Sequence, residues 1–121
     1  MKKVYFLLGL VLSLAAPLHT QAEQGPESAI NARATTLTRQ IASKVRMSEG
    51  QYVRVRKLNI QMLSQVAELK SQHAAEPAVL DERLAEVQMH YEWDMATILW
   101  PNQMTAYTQA KSSLTALAGQ R

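Results

Sequence analysis

Leu80, Leu84, Val87, Tyr91, Met95 and Ile98 recur at steps of four, three, four, four and three. At 3.6 residues per turn this spacing sets all six on one face of an α-helix, with polar residues on the other side. A half-buried strand alternates at every second residue and has no use for it. The period predicts a helix from about Pro77 to Leu99, and three further runs keep it. Ile30, Ala34, Leu37, Ile41 and Val45 predict a first helix ending near Val45. Tyr52, Val55, Leu58 or Asn59, Met62, Val66 and Leu69 predict a second, from Ser48 to about Gln72. Val53, Ile60 and Leu63 widen its stripe, and a wide stripe touches more than one neighbour. Met104, Tyr107, Ala110 or Lys111, Leu114 and Leu117 predict a fourth, opened by Pro101 and ended by Gly119. No segment has strand-type alternation between turn signals. The fold class is therefore all-α: four helices with a long central helical hairpin, the alternative being an up-down four-helix bundle.

The break at Ala74-Ala75-Glu76-Pro77 is short, so helices two and three pair as a hairpin whose partners have residue numbers summing to about 150. That register brings Arg56 and Lys57 towards Asp94 and Glu92. The pairing matters because charge is segregated. Arg33, Arg39, Lys44, Arg46, Arg54, Arg56 and Lys57 face only Glu49 over their span, while Glu76, Asp81, Glu82, Glu86, Glu92 and Asp94 face only Arg83 over theirs.

Ahead of the periodic runs, Lys2 and Lys3 precede an apolar run from Val4 to Ala16, broken only by Gly9 and Ser13. Pro17 and the small-residue stretch Thr20-Gln21-Ala22 follow. Basic, apolar and small-residue regions in that order read as a secretory signal peptide over residues 1–22, cut after Ala22. The apolar run is short of the roughly 20 residues a spanning helix needs, so the mature chain is expected to leave the membrane for the periplasm. Residues 23–28 contain Gly25-Pro26 and no period, and are expected to be a disordered tail, with Ser28 capping the first helix. Residues 29–119 then form a single helical domain.

A mature chain of about 99 residues buries roughly 60–65% of its unfolded surface, enough for one modest core. The chain has no cysteine, which excludes disulfides, a thiol nucleophile and a thiolate metal site in a compartment where disulfides are common. Removing Lys2 and Lys3 leaves eleven Lys and Arg against ten Asp and Glu. An exported chain so nearly neutral is not expected to bind nucleic acid.

The junctions are informative. Ser48 can cap the second helix, and Gln51, three residues on, can return a bond to the Ser48 N–H, forming a capping box. Met47 and Tyr52 flank it at the positions of a hydrophobic staple. Leu99-Trp100-Pro101-Asn102-Gln103 repeats part of this logic: Leu99 and Met104 can staple, Pro101 suits the first helical position, and Gln103 holds the reciprocal place. Trp100 has no acceptor for the cap, so the second box is half made.

These two stretches resemble the L-T-x-x-Q motif that occurs, usually twice, in the Spy/CpxP family of periplasmic stress proteins. Met47-Ser48-Glu49-Gly50-Gln51 substitutes Met for Leu and Ser for Thr; Leu99 to Gln103 keeps Leu and Gln and loses Thr. The resemblance spans roughly residues 30 to 117. It implies four helices with a long bent hairpin, a cradle-shaped homodimer, ATP-independent chaperoning or envelope-stress sensing, and metal binding in some relatives. The family's usual client face is concave, basic and partly apolar.

The residues offer matching candidates. The basic cluster Arg33, Arg39, Lys44, Arg46, Arg54, Arg56 and Lys57 suits adaptable binding of unfolded chains through long apolar stems and cationic heads; the plainer reading is a solvated face. Met89 and Trp93 fall off the core stripe and suit a client or partner surface. Glu86, His90 and Asp94, at i, i+4 and i+8, form a polar row that a divalent metal would need ligands from elsewhere to complete. No nucleophile, base and orienting group occur together, and no phosphate loop appears, so no enzyme activity and no cofactor are expected. The expected function is ATP-independent binding of unfolded or partner proteins on an amphipathic basic surface. A metal-responsive sensor and a non-chaperone interaction module are the alternatives.

Overall fold

A computed structural model of the chain describes residues 25–114. The expected signal peptide, and the ends of the expected tail and domain at residues 23–24 and 115–119, lie outside the described residues. The chain between them forms four helices: α1 (Pro26–Lys44), α2 (Glu49–Gln72), α3 (Pro77–Ile98) and α4 (Pro101–Ala110), followed by a 3₁₀ turn at Lys111–Ser113. Among the described residues there is no strand.

Each start has a local cause. Pro26 and Pro77 occupy first helical positions, where a fixed φ and a missing N–H cost nothing. The helix therefore begins at Pro26, and residues 26–28 are its first turn rather than part of a disordered tail. Ser28 is inside the helix and does not cap it; its N–H donates to the Gly25 carbonyl at 3.0 Å. Ser48 caps α2 as expected, accepting from the Gln51 N–H at 3.2 Å. Helix α4 is shorter than the period predicts. After Ala110 the backbone tightens, with the Ser113 hydroxyl donating to the Ala110 carbonyl at 2.7 Å. Serines near a helix end compete for its carbonyls in this way.

Neighbours follow chain order: α1 packs on α2, α2 on α3, and α4 on both α3 and α1. This ring order is that of the up-down alternative. The unequal lengths make α2 and α3, with 24 and 22 residues, the long central hairpin of the other, beside an α4 of 10 residues. The core joins all four helices through Leu37, Ile41, Val55, Met62, Tyr91, Met95 and Tyr107. On α3, Tyr91 and Met95 are buried, whereas Leu80, Leu84 and Val87 on its first half are only partly covered. Val53, counted in the α2 stripe, is exposed.

The hairpin register agrees with the sum of about 150 expected for a short connection: the Tyr91 hydroxyl donates to Asn59 Oδ1 at 2.5 Å. The charge pairs expected across it do not form. Arg56 lies on the flank of α2 that faces α1, and its Nε donates to Thr35 Oγ1 at 3.1 Å. Glu92 instead pairs with Lys111 beyond α4.

Candidate functional site

The two junction motifs meet. Gln51 Oε1 accepts from the Ser48 N–H at 2.9 Å, and Gln103 Oε1 accepts from the Trp100 N–H at 2.9 Å. Each amide nitrogen then donates to the other glutamine's oxygen, at 2.8 Å from Gln51 and 3.0 Å from Gln103. Each also donates to the carbonyl just before the other motif: Gln51 Nε2 to Ile98 at 3.1 Å, and Gln103 Nε2 to Arg46. The result is an approximately two-fold amide clamp that ties the α1–α2 junction to the α3–α4 junction. Met47 and Met104 pack partly buried against the core, and Leu99 is buried. The Trp100 indole, a donor only, gives no forward cap and is 70% exposed. The clamp contains no titratable group and serves geometry. Its sequence signal was a glutamine at the same place in the caps of α2 and α4.

A second polar feature crosses the core. Asn59 Nδ2 donates to Thr38 Oγ1 at 2.9 Å, and Thr38 donates onward to the Ala34 carbonyl at 2.6 Å. With Tyr91 this makes a chain of hydrogen bonds through α1, α2 and α3, with every member buried. Tyr107 of α4 lies close enough to Tyr91 for the two phenols to perturb each other, but its hydroxyl completes no hydrogen bond among the described residues. Burial raises both phenols, Tyr107 to about 12, with the neighbouring Tyr91 partly opposing the rise. Tyr91 is raised well above its ordinary value, by burial first and by Tyr107 second. Both are neutral at physiological pH, so this network organises the core and carries no charge.

The open feature is a groove between α2 and α3, about 490 Å³ in its main part. Leu58, Met62 and Tyr91 close its floor, and half-buried Leu69 and Val87 keep apolar surface within reach of solvent. Gln61, Gln65 and Gln72 line its α2 wall, with Arg83, Glu86, His90 and Asp94 along α3. It continues past Asp94 to Arg54 and Lys57. No residue of α1 or α4 lines either part, so the groove is the flank of the hairpin that those helices leave bare.

The expected basic surface is not one face. Arg54 and Lys57 line the groove. Arg56 turns to α1. Arg33, Arg39, Lys44 and Arg46 are exposed on α1 and its junction, away from the groove. The helical period explains the split: Arg54 and Lys57 are on one flank of α2 and Arg56 is on the opposite one. Met89 and Trp93, 43% and 58% exposed, are on the outer side of α3 and line neither part of the groove. Trp93 stands at its rim, edge-on to the His90 ring at 5.2 Å.

Glu86, His90 and Asp94 all line the groove. Glu86 is engaged with Arg83 at 3.2 Å. Among the described residues no three His, Cys, Asp or Glu side chains lie close enough to share an ion. Glu86 and Asp94, at i and i+8, are about 12 Å apart along the helix axis, and among the described residues no other element completes a ligand set with His90. Among the described residues no helix is long and apolar enough to cross a membrane. Compared with protein-family models, characterised proteins and solved structures, the chain matches none.

Proposed function

We propose that the protein is an exported, Spy/CpxP-like binding protein that holds unfolded or partly folded protein segments in the α2–α3 groove, without nucleotide. Export rests on the leader-like pattern of residues 1–22, and the family reading rests on the paired motifs. One observation carries the binding reading. The hairpin leaves a long flank uncovered in which accessible Leu69 and Val87 alternate with glutamines and with charges of both signs. Two half-buried apolar side chains give weak, non-directional attraction. The polar walls keep it soluble and let bound segments shift. The groove is mixed in charge, so the reading differs from a purely basic surface: Arg54 and Lys57 serve one end, and the cations of α1 do not take part.

Light scattering of a chemically denatured client diluted into buffer tests this. The protein is expected to slow aggregation at stoichiometric ratios without ATP. Val87→Asp, a half-exposed position, is expected to weaken that effect several-fold while the far-ultraviolet helical signal is kept. Arg33→Glu is expected to leave it unchanged. A protein that does not slow aggregation at any ratio overturns the proposal.

A further inference from the structure

We infer that the segment this groove accepts is an amphipathic α-helix of a partner protein, lying antiparallel to α2 and parallel to α3; the inference rests on the groove being the binding site. Leu58, Met62, Gln65, Leu69 and Gln72 step along α2 by four, three, four and three. Arg83, Val87, His90 and Asp94 step along α3 by four, three and four. These are the seam positions of a left-handed helical packing. Two facing seams make the receptor for a third helix. From Leu58 to Gln72 the groove runs about 21 Å, four turns of helix.

The backbone decides between a helix and an extended segment. Groove residues lie within α2 and α3, whose N–H and C=O groups are paired inside their own helices. An extended segment finds no strand edge to join, and its own polar backbone would be pressed against Leu69 and Val87. A helix arrives with those groups already paired.

Charge sets the direction. Arg54 and Lys57 stand at one end, and neither makes an ion pair among the described residues. Asp94 offsets one of them, leaving this end net positive. At the other end Glu68 and Glu86 outnumber Arg83. A helix dipole is negative at its C-terminus, so the C-terminal end of the guest belongs beside Arg54 and Lys57.

The test uses an acetylated, amidated peptide of eighteen residues, with leucine at heptad seam positions and uncharged polar residues elsewhere, and a second peptide with proline at its centre. Fluorescence anisotropy is expected to give saturable binding of the first and at least a ten-fold loss for the second, with helical circular dichroism gained on binding. A nitroxide at the peptide's C-terminal end is expected to broaden amide resonances near Lys57 and spare those near Gln72. A nitroxide at its N-terminal end is expected to do the reverse, and the double variant Arg54→Glu, Lys57→Glu to abolish or invert that preference. No saturable binding, equal binding of the proline peptide, or equal broadening at both ends overturns the inference. Client aggregation measured on the same preparation separates the two readings: suppression that persists while the peptide result fails removes the helical guest alone, and loss of both removes the binding site.

Discussion

Asn59 shows what one residue does in this fold. Its amide uses both ends, donating to Thr38 and accepting from Tyr91, in a site sealed from water. Removing it leaves the Tyr91 hydroxyl without an acceptor and opens a cavity. Asn59→Ala is expected to cost about 2–4 kcal/mol, read from the urea midpoint. Thr36→Val, which removes an exposed hydroxyl bonded only to its own helix at Ala32, is expected to stay within about 0.5 kcal/mol. The sequence left this position open between Leu58 and Asn59, because a period reports direction and not polarity; both residues are buried. That Asn59 would be satisfied depends on Thr38 and Tyr91, each more than twenty residues away along the chain. The phenols give a pH signature. Their folded values are raised above the unfolded value of about 10, so the unfolded chain releases these protons first as pH rises. Stability is whole below pH 10 and is lost as pH climbs through the Tyr107 value of about 12, by about 1.4 kcal/mol per pH unit for each phenol. Denaturation midpoints between pH 9 and 12 are expected to fall, and Tyr107→Phe to flatten the fall.

At the scale of elements, the junctions carry the fold, and they divide cleanly into what a sequence exposes and what it conceals. The Ser48–Gln51 box is local, three residues apart, and was legible. So was the missing half at Trp100, since an indole cannot accept. Pro26 opens α1 rather than belonging to a tail: Pro ends one element as readily as it begins another, and only the helix that follows decides. The clamp itself was concealed, because a glutamine that closes its own cap has a nitrogen left over, and nothing local says where it goes. It goes to the other glutamine across 52 residues. This orders the expected costs. Ser48→Ala loses one cap bond, about 0.5–2 kcal/mol, and is expected to leave client binding intact where the fold survives. Gln51→Ala loses its own cap bond, the pairing with Gln103 and the bond to Ile98. It is expected to cost more, about 4 kcal/mol for four bonds at roughly 1 kcal/mol per net bond. Thermal unfolding of the two variants side by side checks the order; equal costs would mean that the clamp adds nothing to the cap.

For the molecule as a whole, four helices and a central hairpin were readable because a 3.6-residue period survives any tertiary arrangement. The proposed binding surface was legible only in part. Clustering seven cations along the sequence overlooked that Arg54 and Arg56 point to opposite flanks of one helix. The groove also depends on which flank of the hairpin α1 and α4 leave bare, and this follows from packing rather than from a motif. Glu86, His90 and Asp94 keep the row that their spacing shows, and it lines one wall of the groove; among the described residues no three such side chains lie close enough to share an ion. On the proposed reading, unfolding proteins are held on this bare flank. Site-specific photo-crosslinking tests it most directly, with a benzophenone side chain at exposed Gln65 in the groove or at exposed Thr36 on the outside of α1. During client unfolding, crosslinks are expected at Gln65 and not at Thr36. Capture at Thr36 with none at Gln65 would contradict the account.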